Sequence, residues 1–150
     1  VYLQTPYFMP DETFLQALKS ASMSGVDVRL MIPEHSDSRI ADYATTSHLG
    51  ELLESGIKVY LYRGGVLHCK SVVCDDYISS IGSANLDFRS FFYNFEISAF
   101  VYDRDVAVDL KECFINDMKR CRQLTLNEYR TRPFIRRCTE SLVKLLSPLL

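Results

Sequence analysis

The chain has 150 residues and a mass of 17.3 kDa, a length for one domain with a sizeable hydrophobic core. Apolar residues make up 47% and charged residues 24%, as in ordinary soluble folds; no run of about 18 apolar residues and no secretory signal is present, which speaks against a bilayer-spanning segment. The net charge of -2 conceals a division, because residues 119–150 hold eight basic side chains against two acids, Glu128 and Glu140. That basic end suits either an anionic surface such as a membrane leaflet or a solvated helix face.

In chain order, residues 1–4 read as the interior of a strand, as in a domain excised from a longer protein. Residues 5–10 form a stiff loop between Pro6 and Pro10. Asp11 then caps a helix whose apolar positions Phe14, Leu15, Leu18 and Met23 recur at helical spacing, and Gly25 ends it. Residues 26–32 are a predicted strand stopped by Pro33, followed by a polar loop over 34–38 and a helix over 39–54 that closes at Gly56. The next strand covers 57–62. Gly64 and Gly65 turn the chain into a strand over 66–74, and Asp75-Asp76 turns it again into 77–81, so the pair reads as a hairpin. Residues 82–90 are expected to be a loop and 95–102 a final strand. Asp103 caps a helix to about Arg122, and after a polar connector an amphipathic helix spans 134–146, before Pro148. Helices alternate with strands early and strands pair antiparallel later, which predicts an α/β layered fold with a mixed sheet flanked by helices.

The chemistry gathers in one run, His68-Cys-Lys70-Ser-Val-Val-Cys-Asp75-Asp-Tyr-Ile-Ser-Ser-Ile-Gly82-Ser83-Ala-Asn85. On a strand, His68 and Lys70 leave the same face while Cys69 points the other way, with Val72 and Cys74 continuing the row. An isolated strand histidine is more often a satisfied core residue; the lysine beside it and the Gly-Ser-x-Asn downstream favour a site. A neutral imidazole can attack phosphorus, Lys70 can hold a non-bridging oxygen, and Ser83, Asn85 and the turn's N–H groups can stabilise the developing charge. Asp75 falls at the strand end, where a turn role is favoured over proton chemistry. Glu96, in an otherwise apolar strand, is expected to accept from the His68 ring and fix its tautomer, or else to lie on a solvated face. The five cysteines are odd in number and scattered, which fits a reducing compartment and core packing rather than disulfides or a zinc site.

The spacing H-x-K-x4-D-x6-G-S-x-N resembles the HKD signature of the phospholipase D superfamily. The wider sequence resembles the C-terminal HKD half of bacterial cardiolipin synthases: Thr5-Pro6-Tyr7-Phe8-x-Pro10, Ser24-Gly25-Val26-Asp27-Val28-Arg29, Gly82-Ser83-Ala84-Asn85-Leu86-Asp87-x-Arg89-Ser90, Asn94-Phe95-Glu96 and the closing residues 145–150. The resemblance implies a phospholipase D-like HKD domain over 1–122, with 123–150 as a basic connector and amphipathic helix running to the natural C-terminus. It implies site roles for His68, Lys70, Ser83 and Asn85, places Asp75 in the signature, and lets Glu96 support His68. It further implies transfer of a phosphatidyl group between two phosphatidylglycerols with release of glycerol, through a phosphohistidine, with neither metal nor cofactor. The partners it implies are anionic phospholipids, a second HKD half from the same parent chain or a homodimer, and the bacterial cell membrane, with this domain facing the cytoplasm. Which histidine attacks stays open. The alternatives are a phospholipase D hydrolase, an HKD nuclease, or a membrane-binding structural module. A nuclease should show a basic groove at the motif, yet residues 75–117 are acid-rich, so nucleic acid is not expected as a partner. The terminal helix could lie on an anionic leaflet or pack on its own domain, the commoner fate of amphipathic helices.

Overall fold

A computed structural model describes residues 1–145. The elements in order are β1 (Tyr2–Gln4), β2 (Phe8–Met9), α1 (Glu12–Met23), β3 (Arg29–Pro33), α2 (Arg39–Glu54), β4 (Lys58–Tyr62), β5 (Ser71–Cys74), β6 (Ile78–Gly82), β7 (Leu86–Asp87), α3 (Phe88–Phe92), β8 (Ser98–Tyr102), α4 (Arg104–Met118), β9 (Cys121–Leu124), α5 (Leu126–Arg130) and α6 (Phe134–Lys144). Among these residues seven strands form a sheet in the order β8-β6-β5-β1-β3-β4-β9, and β2 pairs with β7 separately. β1, β3 and β4 run parallel, while β5, β6, β8 and β9 join antiparallel. The expected mixed sheet flanked by helices is the architecture observed.

Side-chain alternation divides the core into two layers. On one face Leu3, Leu30, Ile32, Val59 and Leu61 pack with Leu15 and Leu18 of α1 and Leu49 and Leu52 of α2. On the other, Met31, Tyr60, Tyr62 and Leu67 pack around Phe114 of α4. Helix starts follow the capping residues: Asp11, Ser38 and Asp103 each accept from a backbone N–H of the first turn. No helix among the described residues is long and apolar enough to cross a membrane.

The structure corrects several element boundaries, and in each case pairing partners explain the change. The strand expected over 66–74 begins only at Ser71, because Gln4 opposite it is the last residue of β1 and the chain beyond leaves the sheet at Thr5-Pro6. His68 and Lys70 therefore stand on an extended segment just before β5. β3 begins at Arg29, opposite Tyr2, rather than at Val26. β8 begins at Ser98, opposite the last residue of β6, so 95–97 have no ladder partner. The expected loop over 82–90 contains β7 and the start of α3, since Leu86 and Asp87 find Phe8 and Met9. α4 stops at Met118, and the following residues form β9, whose polar Cys-Arg-Gln-Leu sequence carries little strand signal but pairs with β4. The short α5 was not expected either. The predicted end of the last helix at Leu146, with the closing residues 146–150, lies outside the described residues.

Candidate functional site

The site forms at the carboxyl ends of the parallel strands, where open α/β sheets generally present their ligand-binding loops. Leu67 anchors its first segment. It is buried among Met31, Tyr60, Tyr62 and Phe114, which leaves the next side chain, His68, pointing outward and exposed. Lys70 folds back onto it: the ammonium lies 3.1 Å from His68 Nδ1 and 3.3 Å from Nε2, and donates to the His68 carbonyl at 2.9 Å. The ammonium thus sits beside both ring nitrogens, and which of them can accept from it depends on the tautomer. Burial lowers the Lys70 pKa, while the charges of Cys69, Glu96 and Asp87 work in the opposite direction.

The Gly-Ser-x-Asn turn lies against the same segment. The Gly82 N–H donates to the Lys70 carbonyl at 3.3 Å. A Cβ at Gly82 would lie 2.6 Å from the Ser98 Cα and collide with the Ile97 carbonyl, so glycine is required by close backbone approach. Ser83 is fixed by reciprocal bonds to Ile97, donating its N–H to the carbonyl at 2.9 Å and accepting the Ile97 N–H on its hydroxyl at 3.0 Å. The Asn85 N–H donates to Ser90 Oγ at 3.1 Å, and its side-chain Oδ1 is buried with no hydrogen-bond partner among the described residues.

Glu96 takes partners other than the expected imidazole. Its carboxylate accepts from the Ser83 hydroxyl, from Ser90 Oγ at 3.2 Å and from Asn94 Nδ2 at 3.2 Å. The bonds from Ser83 and Asn94 lower its pKa against a small burial cost, with Lys70 adding attraction. Ser90 and Asn94 are functional partners that spacing and residue type alone do not single out; their only sequence signal is their place in the Gly82–Ser90 and Asn94-Phe95-Glu96 stretches. Asp75 is not brought to this group. It sits with Asp76 in the β5–β6 turn, both at positive φ (51° and 54°), roughly 16 Å along the chain from Lys70 at strand rise. Asp76 is paired to Lys111 of α4 at 2.7 Å.

Three clefts meet around these residues. The most apolar, of about 380 Å³, has Lys70, Asn85 and Gly82 among its lining, with Val72, Cys74 and Phe100 from the sheet, Phe14 and Leu18 from α1, and Phe91 from α3. Its floor is the sheet face that α1 leaves uncovered: the paired row Leu3, Val72, Ser80, Phe100 runs from a buried leucine to a phenylalanine 67% exposed. A second cleft joins Asn85 to Tyr7, Asp87, Arg89 and Asn94, and a third runs past His68 between His35, Tyr7 and Val66. Tyr7 donates to Asp37 at 2.6 Å, which pushes its phenol up to about 12. Among the described residues no three His, Cys, Asp or Glu side chains are arranged to hold a metal ion.

Cardiolipin synthase 1 of Staphylococcus aureus (strain COL) is 49% identical over 150 residues, all of this chain and 30% of the relative. Cardiolipin synthase of Clostridium perfringens is 43% identical over the same 150 residues, covering 32% of its length. The chain thus spans about a third of the curated relatives it matches. Among solved structures, phosphatidylserine synthase from Haemophilus influenzae superposes with a TM-score of 0.73 at 20% identity, over 99% of this chain and 41% of that one. Nuc, a phospholipase D family member from Salmonella typhimurium, superposes with a TM-score of 0.70 at 21% identity, over 82% and 80%; both likenesses concern the fold. The family described as cardiolipin synthase, PLD-like domain, matches residues 1–118, and the chain belongs to that family.

Proposed function

We propose that the chain is one half-site of a phosphatidyltransferase that moves a phosphatidyl group from one phosphatidylglycerol to another and releases glycerol. The observation that carries this reading is the contact of an exposed imidazole with a lysine ammonium at the mouth of an apolar cleft. A phosphodiester seated on Lys70, with the Asn85 amide beside it, has its charge met by one cation and a short donor; the Ser83 hydroxyl, whose proton is held by Glu96, joins them on turning toward the phosphate. Asn85 Oδ1 and the apolar walls beyond suit the glycerol and chain regions of a lipid. Such walls favour a phospholipid over a polynucleotide, whose backbone would call for a basic groove.

Two imidazoles complete the chemistry. One forms an N–P bond as the P–O bond to glycerol breaks, and the other gives the leaving alkoxide its proton. The second then takes a proton from the incoming hydroxyl as that oxygen attacks phosphorus and the N–P bond breaks. His68 is one of the two, as nucleophile or as acid, and a second HKD half from the same parent chain or from a homodimer supplies the other. Exposed Phe95, Ile97, Phe100 and Tyr102 beside the site offer apolar surface for such a lobe. Glu96 acts by holding Ser83, and Asp75 by shaping the hairpin. Residues 1–122 hold the catalytic side chains and 123–150 none of them, although β9 ties the two parts into one sheet, in a parent protein at the bacterial cell membrane with this domain on the cytoplasmic side.

The test is incubation of the full-length parent with phosphatidylglycerol and, separately, with DNA. Cardiolipin and glycerol in equal amounts are expected. Phosphatidic acid in place of cardiolipin would make the enzyme a hydrolase, and nucleotide release without cardiolipin would end the lipid reading.

A further inference from the structure

The last helix is mounted with its polar side inward. At 100° per residue, Phe134, Leu145, Cys138, Leu142 and Ile135 fall within an arc of about 100°. All five point to solvent: Phe134 is 76% exposed, Ile135 79%, Leu142 66% and Leu145 77%, and Cys138 is exposed as well. The opposite side of the helix is what docks. Glu140, 3% exposed, pairs with Arg132 and Arg136 at 3.1 Å each, and Lys144 reaches Glu51 of α2 at 3.1 Å. Arg132 in turn lies 3.3 Å over the Tyr129 ring, and that ring packs where Gly50 of α2 carries no side chain. Charged and aromatic contacts therefore clamp α6 on α2 and hold an apolar stripe outward, the reverse of a helix that buries its apolar side in its own domain.

We propose that this stripe inserts into the interfacial region of an anionic phospholipid leaflet and fixes the domain on the membrane surface. Charge selects the occupant. Of the eight basic side chains in residues 119–150, Arg122, Arg130, Arg132, Arg136 and Lys144 are paired to carboxylates of the domain, whereas Arg137, exposed on the rim of the stripe and in no ion pair among the described residues, stands where headgroup phosphates would lie. A second copy is a poor alternative, because one stripe of five side chains offers on the order of 500 Å², short of the roughly 800 Å² per partner of a stable interface. The inference stands apart from lipid transfer at His68, since a leaflet-bound helix needs no active site.

The 150-residue chain is mixed with vesicles of phosphatidylcholine alone or of phosphatidylserine and phosphatidylcholine, and sedimented. Binding is expected on the anionic vesicles, weakened by salt, and retained by His68→Ala, which separates it from the phosphate site. The triple variant Phe134→Ser/Ile135→Ser/Leu142→Ser, altered only at exposed positions, should bind roughly 100-fold more weakly. In the unaltered chain, maleimide labelling of Cys138 should fall when anionic vesicles are added while that of exposed Cys113 on α4 persists. Equal labelling of both cysteines on sedimented vesicles, or equal binding by the triple variant, overturns the proposal. So does a dimer in vesicle-free solution that the triple variant abolishes together with any lipid dependence.

Discussion

His48 sits in the middle of α2 and is 7% exposed. Burial, with the Lys144 ammonium of α6 nearby, lowers its pKa from 6.5 to about 4, while Glu51 and Glu12 pull weakly the other way. The folded-state value is the depressed one, so the unfolded chain takes up this proton first and stability falls as pH drops through 6.5 toward 4. Linkage with those two values gives a loss of about 1.4 kcal/mol at pH 5.5, against about 0.2 kcal/mol at pH 7, a difference of roughly 1.2 kcal/mol. Above about pH 5.5 the carboxylates stay clear of the window: Asp27 and Glu34, held to about 2 by their arginine and lysine partners, lose their contribution only in stronger acid. Glu140, raised by burial, would begin to offset the trend at lower pH. The assay is urea unfolding at the two pH values, followed by far-UV circular dichroism because the chain has no Trp. His48→Gln should remove the roughly 1.2 kcal/mol pH dependence whatever its effect on absolute stability. An unchanged slope in that variant would refute the assignment of the titration to His48.

In the intact parent, Lys70→Ala and Asn85→Ala should each lower the transfer rate by about 10²–10³ as charge-stabilising donors are lost; a change in KM alone would instead assign them to ground-state binding. Gly82→Ala, whose Cβ would meet the Ser98 backbone, should cost about 2 kcal/mol or more in urea unfolding, and a neutral result would mean that β6 and β8 are not so closely apposed there. Asp75→Gly should be neutral or stabilising by up to about 1 kcal/mol at this left-handed position, with transfer rate preserved. A fall of about 10² in rate at unchanged stability would make Asp75 a participant in proton transfer.

The starts of α1 and α4 were legible because Asp11 and Asp103 announce them locally, whereas the capping role of Ser38 on α2 shows only in the structure. The fixed spacing around His68 was legible because one turn and one hairpin bring these residues together within 18 positions of the sequence. What was hidden depends on distant partners. The start of β5 is set by where β1 ends, and β9 exists because β4 offers an open edge to a polar tetrapeptide. Glu96 was assigned to the imidazole from burial logic, but the missing ladder partner for residues 95–97 lets it bend toward Ser83, Ser90 and Asn94. The orientation of α6 was hidden for a similar reason: helical periodicity defines a stripe but not which side docks, and the ion pairs of Glu140 and Lys144 decide that.

Whether this imidazole takes part in moving a phosphatidyl group is decided by His68→Ala in the intact parent, with cardiolipin and glycerol both quantified from phosphatidylglycerol. Both products should be lost with the circular dichroism spectrum unchanged, because the ring is exposed. Cardiolipin formation at the unaltered rate would contradict that role.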